Sequence, residues 1–143
     1  MTASVPGPVR GAGLIVAVQG AAALLVAAVL VVRGLGGADQ RGVNGLGTAV
    51  WFALVGGAVV AAGYALIVGK RWGRGLGVFT QLLLLPVSWY LAVGSHRPLF
   101  GIPLGVVALT GLALLFSPAA VRWAAGGGQR GSASSASRGP ESR

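Results

Sequence analysis

Residues 11–32 read GAGLIVAVQGAAALLVAAVLVV, a run without a single charged side chain. A helix needs about 20 apolar residues to cross the ~30 Å hydrocarbon core of a bilayer, and this stretch meets that length. Three more runs of the same kind follow it. They are 45–69 (GLGTAVWFALVGGAVVAAGYALIVG), 75–94 (GLGVFTQLLLLPVSWYLAVG) and 99–117 (LFGIPLGVVALTGLALLFS). All are continuously apolar and none alternates, so helices rather than barrel strands are expected. The predicted fold is all-α, a transmembrane four-helix bundle over residues 11–123. A short N-terminus (1–10) precedes it and a disordered C-terminal tail (124–143) follows.

Composition agrees. The chain of 143 residues is 55% hydrophobic and only 9% charged, with a mean hydropathy of +0.81. A soluble domain is about 25% charged, because its surface must face water. The first run is longer than a signal peptide's apolar core and lacks a small-x-small cleavage site before Arg33, so it reads as a retained span. The formal net charge of +9 accompanies no nucleic-acid-reading motif, and nucleic acid is not an expected partner. Cysteine is absent, which excludes disulfides, thiolate metal sites and S-acylation.

The basic residues instead set topology. Arg10, Lys70, Arg71, Arg74, Arg122, Arg130, Arg138 and Arg143 fall on one side of the spans, and Arg33, Arg41 and Arg97 on the other. The positive-inside rule then places both termini in the cytoplasm of a cell with its spans in the plasma membrane. Trp51, Trp89 and Tyr90 lie toward the outer ends, and Tyr64, Trp72 and Trp123 toward the inner ends, where interfacial aromatics belong. The tail is rich in Gly, Ser and Ala and cannot bury a core.

Groups for chemistry are scarce. Asp39 and Glu141 are the two acids and neither lies in a span, which argues against a proton-coupled carboxylate transporter. His96, the one histidine, stands beside Arg97 in a predicted outer loop and reads as a solvated residue. No Ser/His or paired-carboxylate arrangement can be assembled, so no enzyme, cofactor or metal site is expected. The glycine-rich RGLGG and GVNGLG segments lack the strand and lysine context of a nucleotide loop.

Small residues point to helix packing. Gly45, Ala49, Ala53, Gly57, Ala61, Ala65 and Gly69 form an i, i+4 series in the second run, expected to be one close helix–helix seam. Gly73–Gly77 and Gly101–Gly105 share that spacing. Pro86 frees the Leu82 carbonyl and is expected to kink the third helix. That helix should turn Gly77, Gln81, Leu84, Leu85, Ser88 and Ala92 toward the bundle, and Phe79, Leu83, Pro86 and Tyr90 toward lipid. Gln19 and Gln81 lie roughly 9–12 Å from the inner boundary, and Tyr64 and Thr110 about 8–11 Å. They form an expected intramembrane polar layer, with a Gln19–Gln81 contact flanked by Tyr64 or Thr110. For Thr110, a bond to its own helix backbone is an equal alternative.

KRWGRGLGVFTQLLLLPVSW (70–89) and GIPLGVVALTGLALLFSPAAVRW (101–123) resemble a family of small four-span integral membrane proteins of unknown function, common in actinobacteria. The resemblance covers the C-terminal half and implies topology, not catalytic residues. Small multidrug exporters are alike in size, but they carry an acid in the first span, where this chain has Gln19. The expected function is therefore a non-enzymatic accessory or scaffold subunit. It would act by helix–helix association with a protein partner or as a homo-oligomer, among membrane lipids. The alternative is a conduit for an ion or uncharged solute around Gln81, Ser88 and Thr110.

Overall fold

The computed structural model describes residues 4–37 and 45–126. Four long helices cross in chain order: α1 (Gly7–Leu35), α2 (Gly45–Ile67), α3 (Trp72–Trp89) and α4 (Pro98–Leu115). A π-helical segment, Tyr90–Gly94, continues α3, and a short helix α5 covers 118–126. Each of the four is long and apolar enough to cross a membrane. Most large side chains point outward, including Leu25, Val32, Leu83 and Leu99. So much exposed hydrocarbon is stable only in lipid, and the architecture is that of a multi-pass membrane protein.

Local chemistry sets the ends. Pro8 and Pro98 sit in the first turns of α1 and α4, where a missing amide costs little. Helix α1 therefore begins before the expected residue 11 and takes in Arg10. Helix α2 ends at a Schellman motif: Lys70 N–H bonds the Ala65 carbonyl at 2.6 Å and Gly69 N–H bonds the Leu66 carbonyl at 3.2 Å. That motif needs a left-handed residue, supplied by Gly69 at φ +85°. The last apolar run stops at Leu115. Ser117 then accepts the Ala120 amide at 3.3 Å, capping α5 ahead of Pro118. Residues 124–126 of the expected disordered tail thus belong to α5, and 127–143 lie outside the described residues.

In the bundle α1 neighbours α2 and α4, α3 neighbours α2 and α4, and α1 also reaches α3 across the diagonal. The core is Val9, Ala12, Val16, Val59, Ala62, Leu66, Leu115 and Ala120, with Val5 and Trp123 packed against it. It sits at the basic end of the bundle, the end carrying Arg10, Lys70, Arg71 and Arg74. Toward the Arg33 and Arg97 end, the tight glycine contacts fall in two separate seams, α1 on α2 and α3 on α4.

The α1–α2 seam differs from the expected one. Gly13, Gly20 and Ala27 are buried on α1, and Ala49, Gly56 and Gly63 on α2. Both sets repeat every seven residues and run antiparallel. A Cβ on Gly20 would stand 2.6 Å from Val60 N and 2.9 Å from Gly56 O, and one on Gly63 would stand 2.5 Å from Ala17 N and 2.7 Å from Gly13 O. Backbone therefore rests on backbone. The i, i+4 series does not make this seam. Ala49 is buried in it, but Ala65 packs beside Gly73 of α3, Gly45 and Gly57 are half-buried, Ala53 and Ala61 are exposed, and Gly69 ends the helix. The cause is geometric. Each i+4 step advances about 40° around a helix, so the seven positions wind about 240°, whereas an i+7 step drifts only about 20°.

Candidate functional site

Where the core ends, Gln19 of α1 meets Gln81 of α3. Gln19 Nε2 donates to Gln81 Oε1 at 3.2 Å, and Gln81 Nε2 donates to Gln19 Oε1 at 2.6 Å. Gln81 is fully buried and Gln19 half-buried. The two amides answer each other's donor and acceptor, which suits a low-dielectric interior where an unpaired amide is costly. Gly111 of α4 makes the space: a Cβ there would lie 3.0 Å from Gln81 Cδ and 3.2 Å from its Cγ. Three helices thus build one polar node, and α1 is tied to α3 across the diagonal.

The other two members of the expected layer stay apart. Tyr64 is 63% exposed on the lipid-facing side of α2. Thr110 is exposed and donates to the Val106 carbonyl of its own helix at 2.8 Å. Both can do without a bundle partner: Tyr64 sits near the basic end within reach of the interface, and a hydroxyl can return its proton to its own backbone. The polar contact is therefore a pair, not a four-helix layer.

Helix α3 shows a polar face and an apolar face. Gly77, Gln81 and Ser88 are buried, while Phe79, Leu83, Pro86 and Tyr90 are exposed. Pro86 lies inside α3, and the wider π turn opens four residues after it. Ser88 Oγ donates to its own Leu85 carbonyl at 3.1 Å. Gly101 and Gly105 of α4 bring that helix against Ser88, with added Cβ atoms 2.7 Å from Ser88 O and 2.8 Å from Ser88 Oγ respectively. Within the single chain Gln81, Ser88 and Thr110 do not line one passage, because the first is paired, the second bonds its own helix and the third faces outward. His96 is exposed at φ 51° in the turn before α4.

A clasp absent from the sequence reading closes the basic end. Arg74 donates through Nε and Nη2 to the Leu115 carbonyl, both at 3.2 Å, and its guanidinium lies 5.4 Å from the Phe116 ring centroid. A cation at the last carbonyls of α4 suits the helix dipole. Arg71 stands 6.0 Å from the Trp123 ring, which anchors α5 near the α2–α3 turn. Among the described residues no group of three or more His, Cys, Asp or Glu is poised for a metal, and no buried side-chain N or O lacks a partner. No protein family, curated protein or solved structure matches the chain.

Proposed function

We propose that this membrane protein is a non-enzymatic accessory or scaffold subunit that works by lateral helix–helix association, in a plasma membrane with both termini cytoplasmic. The reading rests on one observation. Ala53, Gly57 and Ala61 make a small-residue stripe on α2 outside its contacts within the chain, and a Cβ on Gly57 would meet nothing within 4 Å. In lipid, small residues let two backbones approach, and van der Waals packing supplies the attraction. The paired glutamines support the same reading, since each carboxamide gives one donor and one acceptor to the other across the bundle. The basic excess beside Lys70, Arg71 and Arg74 supports the orientation. Kinship with the small four-span proteins it resembles is part of the proposal.

The test is mild solubilisation from native membrane of tagged wild type and Gly57→Leu. The expected result is a stoichiometric second chain, of the same or another kind, with wild type and none with Gly57→Leu, while unfolding of the isolated chain is unchanged. A monomeric wild type that carries selective flux in liposomes would overturn the proposal in favour of a conduit.

A further inference from the structure

A groove runs between α3 and α4 at the Arg97 end and opens toward lipid. Its volume is about 490 Å³. Gly101 and Gly105 create the floor by lacking side chains against Ser88 and Ala92. Trp89, Ile102, Val106 and Leu109 line it and are all more than half exposed. The Ser88 hydroxyl in the floor already donates to Leu85 O, so the lining suits hydrocarbon. From Pro98 to Leu109 the groove follows about 16 Å of helix. That is about half the hydrocarbon thickness, the reach of chains from one leaflet.

Arg97 is exposed and precedes Pro98 of the lining in sequence, at the end of the groove where α4 begins. Its backbone N–H bonds the Leu91 carbonyl at 3.0 Å, which fixes the root of the side chain over the π segment. None of the described residues is an Asp or Glu, so none of them neutralises Arg97; Asp39 lies outside the described residues. A groove one leaflet deep with a cation at its headgroup end has the chemistry of one amphiphile. We propose that it holds an acyl chain of an anionic phospholipid from the leaflet at the Arg97 end, with the phosphate on the Arg97 guanidinium. A guanidinium suits this role because its fork matches phosphate oxygens. The site is separate from the Ala53–Gly57–Ala61 stripe and does not depend on association.

The test uses the full chain in phosphatidylcholine bilayers doped with brominated-chain lipid, either phosphatidylglycerol or phosphatidylcholine. Bromine quenches nearby tryptophan, and the Trp89 contribution is the difference between wild type and Trp89→Phe. Phosphatidylglycerol should occupy the site about fivefold more readily than phosphatidylcholine, the factor that one cation near an anionic headgroup supplies. The preference should fall to about one in Arg97→Gln and persist in Arg97→Lys. Equal quenching by the two lipids in wild type overturns the proposal, and so does a preference that survives in Arg97→Gln.

Discussion

Replacing Gly63 by alanine probes the α1–α2 seam at its tightest point. The new methyl would stand 2.5 Å from Ala17 N, 2.7 Å from Gly13 O and 2.8 Å from Ala17 Cα. Nonbonded carbon contacts settle near 3.5 Å or beyond, so the helices must part by about 1 Å. All three atoms are backbone, which cannot rotate away as a side chain can. Overpacking of this size costs ~1–3 kcal/mol. Alanine also gains about 1 kcal/mol of helix propensity over glycine, which would mask part of that cost. Gly57→Ala on the same helix supplies the reference, because its Cβ meets nothing within 4 Å. Propensity cancels between the two variants. Gly63→Ala should then be ~1–3 kcal/mol less stable than Gly57→Ala in reversible unfolding from mixed micelles. If the two agree within about 0.5 kcal/mol, the ordinary scatter of surface changes, the close approach does not exist.

The glutamine pair should show coupling of about 0.6–1.7 kcal/mol in a double-mutant cycle of Gln19→Leu and Gln81→Leu. Strict additivity in the same unfolding assay would mean the amides do not touch. Arg74→Gln should cost about 1–2 kcal/mol by releasing the Leu115 carbonyl, measured as a lowered unfolding midpoint; an unchanged midpoint would remove the clasp. Truncation after Ser117 removes buried Ala120 and packed Trp123 and should cost ~2–4 kcal/mol. Truncation after Gly126 should leave thermal stability unchanged, and a large loss would mean that residues 127–143 dock on the bundle.

Much of the fold was legible because the bilayer imposes it. Runs of about 20 uncharged residues have few options other than helices, so four spans follow from length alone. Gln19 and Gln81 were legible as a contact because matched depth and the cost of a lone amide in hydrocarbon converge on one pairing. The seam was harder to read. In a chain with 26 glycines, i+4 and i+7 series coexist, and only the helix crossing decides which is used. Gly56 and Gly63 carry that choice, and each needs Gly13 or Gly20 of α1 as a counterpart. Helix α5 had a readable start, since Ser117 before Pro118 is a cap followed by a first-turn proline. Its short Ala-rich sequence masked that signal. Arg74 read as a topology residue, because nothing local reveals that the end of α4 lies beside it.

The association proposal turns on the exposed side of α2, and the natural absence of cysteine makes that side easy to probe. Single cysteines introduced as Ala53→Cys, Gly57→Cys and Ala61→Cys can be labelled with a short thiol-reactive photo-cross-linker that inserts into C–H bonds, and so needs no particular group on the partner, and irradiated in native membranes. Leu83→Cys, on the lipid-facing side of α3, serves as the reference. One discrete cross-linked species should form from the α2 positions, strongest at Gly57→Cys, and be absent from Leu83→Cys. Monomer alone at all three α2 positions, or equal cross-linking at Leu83→Cys, would contradict a partner seated on that stripe.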